Sequence, residues 1–204
     1  LVRQKVGQIA NIVLIFMIPV SIFLACNNID IVHILYARGA FDQESVEVTS
    51  KILLGFSIGM WAQVLSYYFI RVLNSQLRNT EVLIYTSISI LIDVGIKLLF
   101  YKNLGPMVLG LGLSVNSIVL CLFITYALNL YKELKDTFLS LAVGSLFYIV
   151  AYIFISQKLT GLSHIVHFIT ITSISCLYWI FYVLLQPRLR KYVYLLIGNL
   201  HNLL

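Results

Sequence analysis

The chain has 204 residues, of which 60% are hydrophobic and only 11% charged, with a mean hydropathy of +0.95 and a formal net charge of +6. Soluble domains carry about 25% charged residues, so this composition excludes an ordinary soluble domain and predicts an integral membrane protein. The positive charge does not predict nucleic-acid binding, because no soluble segment carries a basic face interleaved with aromatic residues; in membrane proteins a basic excess usually reports topology.

Six segments are long and apolar enough to cross a bilayer, which requires about 17–25 predominantly apolar residues in a helix. No segment shows the alternation of apolar and polar residues that is typical of a strand. The sequence therefore predicts an all-α, polytopic membrane protein with six transmembrane helices. These predicted spans are residues 8–25, 52–73, 82–101, 106–130, 138–156 and 162–185.

The segment that joins the first two spans is too polar to cross the membrane. Residues 29–36 are predicted to continue the first helix beyond the bilayer, and Arg38–Gly39 to break it. Asp42 is a predicted N-cap for a helix that runs from about Gln43 through the second span, since an N-cap carboxylate accepts backbone N–H bonds. Glu44 in the first turn suits the positive end of the helix dipole.

Asp93 and Lys97 lie four residues apart inside the third predicted span. Charged groups in hydrocarbon cost several kcal/mol, roughly 2.5–3.5 each near the centre of a span on insertion scales. At this spacing two helical side chains meet, so the pair is predicted to neutralise itself in part and to face protein or water. Two interpretations stay open: a structural pair that fixes helix register, or a site on the path of a substrate or ion.

Polar and small residues in the neighbouring spans are candidates for contacts with this pair or for close helix packing. Ser114 and Asn116 in the fourth span are candidates for hydrogen bonds across to it. The small-residue steps Gly55/Gly59 and Gly110/Ser114 permit close helix approach, although such steps are common. His164 and His167 start the sixth span, where an interfacial histidine needs no function.

The distribution of Lys and Arg predicts the orientation of the spans. Nine lie on one side and five on the other, so the first side, with both termini, is predicted to be cytoplasmic. The tail, residues 187–204, carries Arg188, Arg190 and Lys191 and is predicted to be an interfacial helix on the cytoplasmic leaflet. The nine are Arg3, Lys5, Arg71, Arg78, Lys132, Lys135, Arg188, Arg190 and Lys191; the five are Arg38, Lys51, Lys97, Lys102 and Lys158.

Catalytic and metal-binding patterns are absent from the sequence. It contains no Gly-rich phosphate loop, no nucleophile motif and no His, Cys or acidic cluster at metal-ligand spacing, so neither an enzyme nor a cofactor is predicted. Cys26, Cys121 and Cys176 lie in or beside apolar spans and are interpreted as small buried residues without a predicted pairing.

The segment Ile34–Phe41, ILYARGAF, is similar to a motif of the MurJ/MviN lipid II flippase family. In that family an apolar helix ends in Arg-Gly-Ala-Phe, and a capping acid and a long helix follow. The matching residues here are Arg38, Gly39 and Phe41, with one alanine before the phenylalanine. Phe56 to Gly59 and the stretch from Gly105 to Ser114 resemble the family's next motifs in the same order and without gaps.

The resemblance implies the last six of fourteen helices in a two-lobed, MATE-like transporter of the multidrug/oligosaccharidyl-lipid/polysaccharide superfamily. The implied activity is transfer of an undecaprenyl-diphosphate-linked saccharide, lipid II or a related glycan, across the bacterial cytoplasmic membrane for cell-wall synthesis. The final two helices would form part of a groove for the lipid tail. The N-terminal lobe, whose arginines would bind the diphosphate, is implied as the missing partner of this chain.

This sequence departs from the family where related proteins bind a cation. Some members hold sodium with polar or acidic residues at the positions of Asp93 and Lys97 and with a hydroxyl one helix later, where this chain has Leu113. The hypothesis is that the Lys97 ammonium takes the place of the metal ion. Two alternatives stay open for the whole: an ion-coupled exporter of the wider superfamily, or a non-transporting remnant or membrane scaffold.

Overall fold

The computed structural model describes residues 2–37, 41–159 and 163–201, and this part of the chain forms nine α-helices and no strand. Five of these helices are long and apolar enough to cross a membrane, and the number is six if the bent pair α3 and α4 is one span. The predicted all-α fold is confirmed. The helices are α1 Val2–Cys26, α2 Asn28–Tyr36, α3 Gln43–Ser57, α4 Met60–Ser75, α5 Asn79–Leu104, α6 Met107–Ala127, α7 Tyr131–Lys158, α8 His164–Leu185 and α9 Pro187–His201.

The connection from α2 to α3 contains the predicted cap. Asp42 is the N-cap of α3, and its Oδ1 accepts a hydrogen bond of 2.9 Å from the backbone N–H of Ser45. This hydrogen bond favours the ionised carboxylate and lowers the pKa of Asp42. Arg38 and Gly39 lie outside the described residues, and the Phe41 ring packs against that of Tyr36 with centroids 5.9 Å apart.

The second span differs from its prediction as one continuous helix. α3 ends at Ser57, α4 begins at Met60, and the two helices are bent by 51° at this break. The regular bond from Gly59 N to Gly55 O is lost, and Gly59 N instead lies 3.3 Å from Phe56 O. A side chain from α6, described below, replaces the lost bond, which explains why the helix breaks here inside the membrane.

The two small-residue steps pack against each other where α3 crosses α6. A Cβ atom on Gly110 would lie 2.1 Å from Ile52 O, and one on Gly55 would lie 2.6 Å from Met107 O. A Cβ on Gly59 would lie 2.4 Å from the Cα of Ser114. The backbones are in direct contact at this crossing, and any larger side chain would force the helices apart.

The buried core lies between α1, α4, α6 and α7, whereas α5 is largely uncovered. Leu14, Leu65, Ile124 and Leu141 are at most 1% exposed. In the most apolar part of α5 only 11% of residues are buried, as expected for a helix that faces lipid. The charged pair on α5 is therefore exceptional within its own helix.

Tyrosine hydroxyls tie α8 to the backbone of α7. Tyr178 donates to Gly144 O at 2.7 Å and Tyr182 donates to Ser140 O at 2.5 Å. Gly144 is required at this contact, because a Cβ there would lie 2.5 Å from the Tyr182 ring. These hydrogen bonds satisfy the tyrosine hydroxyls inside an otherwise apolar helix pair.

Candidate functional site

Asp93 and Lys97 are in contact on α5. Lys97 Nζ lies 2.7 Å from Asp93 Oδ2, and Asp93 is only 7% exposed. The side chain of Lys97 is 27% exposed, so its ammonium remains closer to the surface. The four-residue spacing on one helix is sufficient to bring the two charges together.

Gly112 on α6 provides the space for this pair. A Cβ atom at Gly112 would lie 2.2 Å from Asp93 Oδ1 and 2.8 Å from Lys97 Cε. The pair therefore packs directly on the backbone of α6 rather than in lipid. Asp93 Oδ1 is buried and accepts no hydrogen bond from the described residues, so one carboxylate oxygen remains unsatisfied.

Ser114 and Asn116 do not make the predicted hydrogen bonds to the pair. Ser114 follows Gly112 by two residues, about 200° around the helix, and so faces α3 instead of α5. Asn116 follows Gly112 by four residues and shares its face, but its buried Oδ1 has no hydrogen-bond partner among the described residues. The sequence suggested polar contacts here without revealing which side of α6 each residue occupies.

Ser114 instead repairs the break between α3 and α4. Its Oγ accepts from Gly59 N at 2.8 Å and lies 2.6 Å from Gly55 O and 2.9 Å from Phe56 O, so its one hydroxyl hydrogen is shared between the two carbonyls. Ser114 is 2% exposed. One hydroxyl thus satisfies backbone groups that would otherwise be unpaired in the membrane, where each such group costs several kcal/mol.

The residues at the cation position implied by the resemblance do not fit a metal ion. The Lys97 ammonium occupies one face of the Asp93 carboxylate at 2.7 Å and would repel a second cation nearby. Leu113 offers no side-chain oxygen, and it is 39% exposed. No group of three or more His, Cys, Asp or Glu side chains that could hold a metal ion occurs within residues 2–37, 41–159 and 163–201.

A second buried pair, Asp30 and His167, was not predicted as a site. Asp30 Oδ2 on α2 lies 2.6 Å from His167 Nδ1 on α8, and the side chains are only 11% and 17% exposed. Near it, the Tyr152 hydroxyl on α7 donates to Cys26 O at 2.7 Å. The only sequence signal was His167 itself, because nothing in the sequence places it beside a residue 137 positions earlier.

Asn11 joins three helices at the opposite end of α1. Its Nδ2 lies 2.9 Å from Gly7 O, 3.2 Å from Glu133 O on α7 and 3.1 Å from the hydroxyl of Tyr192 on α9. The side chain is 1% exposed. Asn11 and the Asp30–His167 pair therefore connect α7, α8 and α9 to the N-terminal helices at two distant points.

Two apolar cavities lie beside α1 between these points. One, of about 360 Å³, is formed by α1, α8 and α9, with Phe16, Pro19 and Trp179 among its lining residues. Another, of about 300 Å³, lies between α1, α4, α6 and α7, with Trp61 and Phe138 in its wall and Lys135 also lining it. Both have the volume and apolar lining expected of a small hydrophobic ligand site.

Comparison with known proteins identifies the family. The model of the family "Lipid II flippase MurJ" matches residues 1–179. The chain is 28% identical over 138 residues to the lipid II flippase MurJ of Thermosipho africanus (strain TCF52B), covering 65% of this chain and 28% of that protein. It is 27% identical over 138 residues to the probable lipid II flippase MurJ of Treponema pallidum (strain Nichols), covering 68% and 26% respectively.

The fold comparison agrees with this assignment. A solved structure of lipid II flippase MurJ in an inward closed conformation superposes with a TM-score of 0.72 at 19% identity, covering 88% of this chain and 38% of that one. The chain spans 28% and 26% of the length of the two curated relatives. The multi-pass helical fold and the match over residues 1–179 show that this chain belongs to the lipid II flippase MurJ family.

Proposed function

We propose that the complete protein containing this chain is a flippase for a polyprenyl-diphosphate-linked saccharide, lipid II or a related glycan, in the bacterial cytoplasmic membrane. The match to the MurJ family over residues 1–179 carries this proposal. The described helices supply membrane spans and apolar cavities, as movement of a lipid-linked cargo requires.

The chain supplies one part of such a transporter. In this proposal its six spans correspond to the last six of fourteen, and both ends lie on the cytoplasmic side, as the nine-to-five distribution of Lys and Arg favours. The other lobe and the arginines that bind the diphosphate belong to helices outside this chain. Transport then requires the complete protein, because alternating access needs both lobes.

The apolar cavity between α1 and α8 is the proposed place for part of the lipid tail. Its wall is formed by Phe16, Pro19, Trp179 and Val183 together with other apolar residues. A polyprenyl chain gains hydrophobic contact there without exposing a polar group. The hydroxyls of Tyr178 and Tyr182 on α8 donate to backbone carbonyls of α7, so these two groups are not directed into the cavity.

The Asp93–Lys97 pair has a proposed structural role in the same transporter. Lys97 acts as an internal cation that neutralises Asp93 and keeps α5 packed on Gly112 of α6. The ammonium then performs the charge-neutralising task of the metal ion that the resemblance implies for other members. An ion-coupled exporter would instead need an open cation position here.

Depletion of the complete protein in its own host, followed by mass spectrometry of lipid-linked glycans, tests the proposed function. The expected result is accumulation of one polyprenyl-diphosphate saccharide that stays inaccessible to enzymes added outside the cell. Re-expression of the complete protein should remove the accumulated lipid. Depletion without any such accumulation would support the scaffold alternative and contradict the flippase proposal.

A further inference from the structure

The last helix, α9, lies beyond the region that the family match covers. The match ends at residue 179, and α9 spans Pro187–His201. Its first five residues carry three cations, Arg188, Arg190 and Lys191, and no acidic residue occurs anywhere in the helix. Whatever these cations do cannot be read from the family match.

α9 is docked on the membrane helices and is not a free tail. Leu189 is completely buried in the core, and Tyr192 packs against the same core. The Tyr192 hydroxyl lies 3.1 Å from Asn11 Nδ2, which is itself buried on α1. Further along the helix, Val193 and Leu196 line a small pocket together with Ile12, Ile15 and Phe16 of α1.

This docking directs the cations away from α1. At about 100° per residue, Leu189, Tyr192, Val193 and Leu196 fall within one arc of about 100° on the helix. Arg188, Arg190 and Lys191 fall outside that arc, and all three residues are exposed. The Lys191 ammonium makes a cation–π contact, with its Nζ 4.7 Å from the centroid of the Tyr192 ring.

The three cations have no anionic partner in the described part of the chain. The ion pairs that form there involve Arg3, Lys51, Arg78, Lys97 and His167, and none reaches α9. The same end of the molecule carries nine Lys and Arg residues against three acidic ones, Glu81, Glu133 and Asp136. A cationic face without an anionic partner among the described residues therefore lies next to the C-terminal end of α8.

We propose that α9 is a membrane-surface helix that binds the anionic headgroups of phospholipids through Arg188, Arg190 and Lys191. Its apolar arc is packed on α1, so the side that carries the cations is the side left free for lipid headgroups. Basic residues near an anionic leaflet each contribute attraction that decays within a Debye length. Because one residue, Gln186, separates α8 from α9, headgroup binding also holds the inner end of α8 beside α1.

Native mass spectrometry of the complete purified protein, titrated with phosphatidylglycerol or phosphatidylcholine, tests this proposal. The unaltered protein should retain more phosphatidylglycerol than phosphatidylcholine. Arg190→Gln combined with Lys191→Gln should weaken phosphatidylglycerol binding about fivefold for each cation removed, since one basic residue near an anionic surface is worth about that factor. Phosphatidylcholine binding should not change.

The matched control removes two exposed cations at the other end of the molecule, Lys102→Gln with Lys158→Gln, and should leave phosphatidylglycerol binding intact. A second variant, Tyr192→Phe, loosens the docking without changing charge and should weaken binding less than the charge variant does. Equal losses in the charge variant and its control would overturn the proposal, as would displacement of the lipid by millimolar inorganic phosphate. Neither outcome depends on the cargo, so failure here leaves the flippase proposal standing.

Discussion

Lys97 and Asp93 illustrate how one charged pair contributes to the packing of a membrane helix against its neighbour. Replacement of Lys97 by Met should destabilise the complete protein by up to about 3 kcal/mol, because Asp93 would keep a buried charge without its counter-ion. Partial exposure of the Lys97 side chain, 27%, makes the lower part of that range the expected one. Thermal unfolding of the protein in detergent measures the change.

The sodium arm of the same experiment tests the role of Lys97 as an internal cation. The unaltered protein should unfold at the same temperature in sodium chloride and in potassium chloride. The double variant Asp93→Asn, Lys97→Met should recover much of the stability that Lys97→Met alone loses. Gly112→Ala should displace the pair, whereas Gly95→Ala, with no atom within 4 Å of its added Cβ, should not. Stabilisation by sodium that Asp93→Asn abolishes would contradict this role.

At the scale of one element, the bend between α3 and α4 depends on a side chain from another helix. Ser114→Ala should destabilise the protein by about 1–3 kcal/mol, because Gly59 N and the carbonyls of Gly55 and Phe56 would lose their shared partner. Ser117→Ala is the matched control, since this buried hydroxyl donates only to Leu113 O of its own helix. Equal unfolding temperatures for the two variants would show that Ser114 does not hold the bend.

The α3–α4 break also marks the limit of what the sequence could predict for an element. Hydropathy and length correctly predicted an all-helical membrane protein with five to six spans, because the requirement to satisfy the backbone in lipid acts on each segment separately. The N-cap at Asp42 was predictable for the same reason, since its partner Ser45 is three residues away. The break between α3 and α4 was not predictable, because the hydrogen bond that replaces the helical bond of Gly59 N comes from Ser114, 55 residues later.

At the scale of the whole molecule, one sequence alone does not indicate which distant helices pack against each other. The contact between Asp93 and Lys97 follows from helical spacing, whereas that between Asp30 and His167 requires α2 and α8 to be neighbours already. Asn11 likewise contacts α7 and α9 across 122 and 181 residues. These contacts of α7, α8 and α9 with the N-terminal helices are therefore visible only in the structure.

The Asp30–His167 contact should measurably stabilise the packing of α8 on α2. Asp30→Ala and His167→Ala should each lower the free energy of unfolding of the complete protein by about 1–3 kcal/mol, because each removes the 2.6 Å contact between the two side chains. The double variant should be little worse than either single one, since both remove the same interaction. Glu44→Gln, at an exposed acid on α3, should stay within about 0.5 kcal/mol of the unaltered protein. Fully additive losses would show that Asp30 and His167 are not energetically coupled and would contradict this role.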